Sequence, residues 1–145
     1  MRWGKLLDSS PGGSGSVIAI VATDAPLLPG KTKAMARRVP FGLARTGTSG
    51  SHFSGNIFLA FATASDNELR SSFPDRPIEA VALRHLSFVP WGYMNPFYEA
   101  VVQSVEEAVL NALVVNNDMT GRSGHFSPAL PQDQVVALLS RASGS

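Results

Sequence analysis

Two unbroken apolar runs constrain this chain more than anything else in it. Val17–Thr23 reads VIAIVAT and Asn56–Thr63 reads NIFLAFAT. Neither alternates cleanly between apolar and polar residues. Each therefore predicts a strand buried on both faces. Between them, Lys31–Arg45 sets Ala34, Ala36, Phe41, Leu43 and Ala44 among basic residues, the pattern of a helix that Pro40 should kink or divide.

The remaining segments are read the same way. Asn95–Val115 is the clearest helix, with Asn95 a suitable N-cap, Pro96 suited to the first helical position, and Phe97, Val101, Val105, Ala108 and Leu110 at helical spacing. Pro131 should open a short helix through Leu139, and Ile78–Val89 predicts a third, weaker strand. Asp24–Gly30 is a turn-rich connection, Thr46–Gly55 is a small-residue loop, and Ser65–Pro77 reads as surface loop. The order is strand, helix, strand, a possible third strand, helix, helix: a mixed α/β chain. Two or three strands are few for such apolar sequences, and this chain supplies little to cover them.

Composition narrows the function classes. The 145 residues fit one domain, and a 44% hydrophobic content supports a core. A net charge of +1 gives no case for nucleic acid or for an acidic partner. No apolar run approaches the roughly 18 residues that would span a bilayer, and the N-terminal apolar stretch is too short for a signal peptide. A cytoplasmic location is the default. The absence of cysteine excludes disulfides, thiolate zinc sites and a cysteine nucleophile.

Several motifs invite chemistry. Ala25–Thr32, APLLPGKT, ends like a phosphate loop between a strand and a helix. It begins with Ala25 instead of Gly, and Pro26 and Pro29 lack the N–H groups that would cradle a phosphate. A turn before a basic helix explains it better. His52, His85 and His125 are widely spaced singletons without metal-ligand intervals. Asp24 is placed to anchor a turn. Glu106 and Glu107 sit mid-helix and do not suit paired-carboxylate catalysis. Lys31, Lys33, Arg37, Arg38 and Arg45 read as a solvated helix face. Residues 1–15 read as linker, and a Gly–Ser tract before a strand is ordinarily a flexible join.

A resemblance changes the weight of that tract. GSGSVIAIVATDAPLLP resembles the start of the small subunit of the DmpA-type aminopeptidases, the L-aminopeptidase/D-esterase and β-peptidyl aminopeptidase family. The likeness continues through GLARTG (Gly42–Gly47), SGNIFLAF (Ser54–Phe61), NPFYEAVVQSVEEAVLNAL (Asn95–Leu113) and DMTGRSGH (Asp118–His125). It implies a self-processing N-terminal-nucleophile hydrolase. The precursor cuts itself just before a serine that heads a buried strand, here between Gly15 and Ser16. Ser16 becomes the nucleophile, and its freed α-amine, with an ordinary pKa of about 7.7–8.0, becomes the base. Ser54 matches a serine that helps orient the nucleophile. Asn56 stands where the family often has an acidic residue; it can orient by hydrogen bonds but carries no negative charge.

The resemblance sets further expectations. Residues 16–145 correspond to the small-subunit half of an αββα sandwich, and a missing N-terminal portion, the large-subunit chain, would complete it. That portion would also supply oxyanion-hole groups. The substrates implied are short peptides, amides or esters. No cofactor and no metal are implied, and an oligomer is expected. Ornithine acetyltransferase shares the fold and self-cleavage, but its nucleophile is typically Thr. A non-catalytic remnant of the family is the alternative from another class.

Overall fold

The computed structural model describes residues 15–52, 54–70, 73 and 85–142. Its centre is a parallel pair of strands, β1 (Ile18–Thr23) and β2 (Ile57–Ala62). They run in register from Ile18 opposite Ile57 to Thr23 opposite Ala62. The ladder begins where the Ile57 N–H donates to the Val17 carbonyl (3.0 Å). It ends where the Thr63 N–H donates to the Thr23 carbonyl (3.0 Å).

A parallel pair needs a crossover, and two helices supply it. Helix α1 (Pro29–Ala36) starts on a proline, whose missing N–H costs nothing in a first turn. The sequence predicts division at Pro40. The structure divides the helix just upstream, because the Pro40 ring would meet the carbonyl four residues back, that of Ala36. Helix α2 (Val39–Arg45) then restarts with Pro40 in its first turn.

Side chains alternate across the sheet. Ala19, Val21, Phe58, Ala60 and Ala62 pack against a buried cluster of Leu27, Met35, Val39, Leu43, Met94, Val101 and Val105. The opposite face carries Ile18, Ile20, Ile57, Leu59 and Phe61, all exposed, Ile18 to 74%. The expectation of strands buried on both faces is therefore met on one face only. No described element lies over the other.

Helix α4 (Asn95–Val115) ends where the sequence predicts. Its start differs: a 3₁₀ turn at Trp91–Tyr93 runs into it, Met94 is already in helical conformation, and Asn95 makes no capping bond. The helix is buried at Val101 and Val105, whereas Leu110, Leu113, Val114 and Val115 are exposed. Its glutamates keep it from being a membrane span, and no helix among the described residues is long and apolar enough to cross a membrane.

The remaining elements are short or peripheral. Helix α3 (Asp66–Leu69) is a single turn within the segment predicted as loop. Strands β3 (Met119–Thr120) and β4 (Phe126–Ser127) form an antiparallel hairpin. Helix α5 (Gln132–Ala142) is tied to the end of α4 by the Gln132 side-chain amide, which donates to the Val114 carbonyl (2.7 Å). The predicted third strand lies outside the described residues over 78–84, and its last five residues, 85–89, form no strand. The predicted linker also lies outside the described residues, Gly15 excepted.

Two polar readings change. Lys31 is not on a solvated face. It is buried; its ammonium donates to the Val89 carbonyl and lies 5.1 Å from the centre of the Phe88 ring. The Val89 N–H donates in turn to the Pro26 carbonyl (3.0 Å), so residues 85–90 are fastened to the turn after β1. Arg38 stacks 4.0 Å from the centre of the Tyr98 ring, and Arg45 pairs with Glu106 at 3.0 Å. The turn after β1 is closed by the Thr23 hydroxyl, which accepts the Ala25 N–H (3.1 Å), while Asp24 is exposed.

The tightest packing is at Gly42, where α2 meets α4. A Cβ there would lie 2.6 Å from the Val102 carbonyl oxygen and 2.7 Å from the Val105 Cβ. Both neighbours belong to a helix and cannot easily give way. Gly42→Ala should therefore lower stability by about 1–3 kcal/mol through overpacking, read as a fall in the denaturation midpoint, whereas Gly30→Ala, with open space at its Cβ, should not.

Candidate active site

Parallel pairing brings the starts of both strands to the same end of the sheet. Residues 15–17 lead into β1 and residues 54–56 lead into β2. Three contacts join them, and a fourth braces the second segment internally. The Val17 N–H donates to Asn56 Oδ1 (3.3 Å). The Gly55 N–H donates to Ser16 Oγ (3.1 Å). The Ser54 hydroxyl reaches both the Gly15 carbonyl oxygen and Asn56 Oδ1, the latter at 2.8 Å.

The Asn56 contacts have a directional logic. Its Oδ1 faces the Val17 N–H, so it is the acceptor there. The side chain thus satisfies a backbone donor at the position just before the ladder begins. Ser54 carries one hydroxyl proton and faces two acceptors, so it donates to one of them at a time. When it donates to Gly15, it polarises the carbonyl of the Gly15–Ser16 bond.

The structure therefore gathers Gly15, Ser16, Ser54 and Asn56 at one place, across 39 residues of sequence. It adds Gly55, which sequence reasoning passed over. A main-chain donor leaves no side-chain signature, and the only available signal was the place of Gly55 between two singled-out residues. Ser16, Gly55 and Asn56 are exposed and Ser54 is half-buried. None of the four contacts involves an ionisable side chain.

A recess of about 290 Å³ opens beside Asn56, with Phe41, Leu43, Thr48 and Phe58 among its walls. Among the described residues, no group of three or more His, Cys, Asp or Glu side chains is placed to hold a metal ion. His125 lies in the β3–β4 hairpin connection, where its carbonyl accepts the Gly121 N–H (2.7 Å).

Known proteins resemble this chain in sequence and in fold. The chain is 36% identical over 131 residues to the β-peptidyl aminopeptidase BapA of Sphingosinicella microcystinivorans, covering 89% of this chain and 31% of that protein. Its fold matches a Burkholderia sp. β-aminopeptidase with a TM-score of 0.75 at 33% identity, over 95% of this chain and 38% of that one. It matches the L-aminopeptidase D-Ala-esterase/amidase of Ochrobactrum anthropi, described as a variant of the Ntn-hydrolase fold, with a TM-score of 0.72 at 33% identity. That match covers 97% of this chain and 37% of the other. The chain thus spans about a third of the length of these relatives. The sequence profile of peptidase family S58 matches residues 1–127, a stretch that holds both paired strands, the loop that meets Ser16 and all of α4, and the chain belongs to that family.

Proposed function

We propose that this chain is the nucleophile-bearing part of a self-processing serine aminopeptidase. One observation carries the reading: residues 54–56 contact both halves of the Gly15–Ser16 unit, the carbonyl through Ser54 and the hydroxyl through Gly55. In this reading, Ser16 Oγ attacks the Gly15 carbonyl and the chain opens between them. The freed α-amine of Ser16 then serves as the base that later turnovers require. Its ordinary pKa of about 7.7–8.0 leaves a working fraction neutral near pH 7. Oγ attacks the carbonyl of a short peptide, amide or ester, forms an acyl-enzyme, and water releases the acid. Ser54 and Asn56 orient the nucleophile and its amine.

The reading also calls for a larger chain portion, of the kind that makes up the other two-thirds of the relatives. Two features of the fold support it. Five large side chains stand exposed on one face of the sheet, each forgoing part of the about 1.5–3 kcal/mol that full burial gives. Among the described residues the edge of β1 away from β2 has no partner strand; it borders a groove of about 550 Å³ floored by Ser104, Ala108 and Ala112 of α4, and unpaired strand edges invite a further strand. Such a portion would cover the face and bring oxyanion donors, each worth about 10²–10³ in rate. An oligomer in the cytoplasm completes the reading. The open apolar surface supports association, and cell fractionation tests the location.

Intact mass after purification tests the cut. Loss of residues 1–15, abolished by Ser16→Ala, is the expected result; an uncut wild-type chain defeats the reading and favours a non-catalytic remnant. Hydrolysis of amino-acid p-nitroanilides, with and without a co-expressed large portion, then tests catalysis. Activity should rise strongly when the large portion is present, and acetylornithine should not serve as an acyl donor.

A second outcome concerns pH. Asn56→Asp places a carboxylate one residue from the new amine. Opposite charge favours the ammonium form and raises its pKa. Because the amine must be neutral to act, the acid limb of the pH–rate profile should move upward, by about one unit. An unmoved limb would show that residue 56 does not face the amine.

A further inference from the structure

The parallel ladder has a period of two residues, and it breaks at a telling place. The Thr63 N–H donates to the Thr23 carbonyl and the Ile57 N–H to the Val17 carbonyl. Continued by one step, the pattern would give the Gly55 N–H to the Gly15 carbonyl. It does not. The Ser54 hydroxyl takes that carbonyl, and the Gly55 N–H turns to Ser16 Oγ at 3.1 Å. One main-chain donor is thus withdrawn from the sheet and aimed at a side-chain oxygen.

We propose that Gly55 is a positioning residue, whose diverted N–H holds Ser16 Oγ for attack and supports the negative charge that gathers on it. The inference rests on the self-processing reading above. Its physical content has three parts. The N–H occupies one lone pair of Oγ and so restricts the serine rotamer. It repels the hydroxyl's own proton, which must point away from the Gly55 N–H toward an acceptor elsewhere. As a donor it favours the more negative state of the oxygen. These effects matter most in the first cut, when the Ser16 nitrogen is still an amide and there is no α-amine to act as base.

The cut balances as follows. Oγ bonds to the Gly15 carbonyl carbon, and the charge that develops on the carbonyl oxygen meets the Ser54 hydroxyl. The carbon–nitrogen bond breaks, and the proton lost by Oγ passes through solvent to the leaving nitrogen. An ester joins Gly15 to Ser16 beside a free α-amine. Water hydrolyses that ester, leaving a Gly15 carboxylate and restoring the hydroxyl.

What the site requires at residue 55 is a small residue with an N–H. Gly55 is not held in the left-handed region, and a Cβ added there would meet Ser16 Oγ at 3.6 Å, an ordinary contact. Gly55→Ala keeps the donor and Gly55→Pro deletes it. A serine-to-cysteine exchange supplies the control, because sulfur is a weak acceptor and gains little from the N–H.

The test follows processing of the 145-residue chain by intact mass over time, alone and with a co-expressed large portion. In the Ser16 chain, Gly55→Pro should slow the cut by roughly tenfold or more, and Gly55→Ala should recover most of that loss. In the Ser16→Cys chain, Gly55→Pro should slow it by less than about threefold. Equal losses in both chains, or no loss with Ser16, would overturn the proposal, since a merely structural role strikes both alike. Should Gly55→Pro fail to fold, amide exchange by NMR decides instead. Ser16→Ala should speed exchange of the Gly55 amide by about tenfold while leaving Ile57 unchanged; an unaltered Gly55 amide sinks the idea. A wild-type chain that is never cut refutes the self-processing reading, while the exchange measurement still decides whether the bond to Oγ exists.

Discussion

The register of β1 on β2 holds both the core and the site in place. Side chains on a strand alternate with a period of two, so a slip of one residue would exchange the two faces of the sheet. Ile18 and Ile20 would then turn toward α2 and α4, where Ala19 and Val21 now pack. The small residues at 19, 60 and 62 let the helices approach closely; larger ones would force them off. The same slip would carry Ser16 Oγ away from the Gly55 N–H and the Gly15 carbonyl away from Ser54. The geometry on which the proposed chemistry rests is therefore enforced by packing several residues further along the strands.

The strands were legible in the sequence to within one residue at each end, because continuous β-branched and aromatic runs have few other uses. The end of α4 and the effect of Pro40 were legible for equally local reasons. What covers each face of the sheet was not. An apolar run states that both faces are apolar, and says nothing about whether a layer from the same chain lies over them. Lys31 was read as solvated because a basic stretch ordinarily is; its burial depends on the Val89 carbonyl, 58 residues away, and on the Phe88 ring. Ser16, Ser54 and Asn56 were named together through family resemblance, and no spacing within the chain would have joined them. Gly55 escaped notice because its part is played by the backbone.

On the proposed reading, the lack of an ionisable side chain among the contacts at the strand starts shapes what the chemistry can be. The contacts that join residues 15–17 to 54–56 include no ionisable side chain. A serine hydroxyl with no resident base attacks poorly unless its geometry is fixed and the charge it develops is met by donors. Here the donors come from one short loop: a hydroxyl on the carbonyl side and a main-chain N–H on the oxygen side. That division suits a reaction in which nucleophile and electrophile are neighbours in sequence, since proximity is already provided and only orientation must be added.

On the proposed reading, the site then changes character through its own first reaction. Before the cut the nitrogen of Ser16 is an amide and can accept no proton usefully; afterwards it is an amine and can. The acceptor at Asn56 Oδ1 faces this region from the start, and an amide there orients a new ammonium without binding it as tightly as a carboxylate would. A weakly held ammonium loses its proton at lower pH, which keeps more of the base in working form near neutrality. The absence of a negative charge at residue 56 thus trades electrostatic grip on the amine for a larger neutral fraction of it, and orientation must come from hydrogen bonds alone. That places a greater share of the positioning on Ser54 and on the backbone at Gly55.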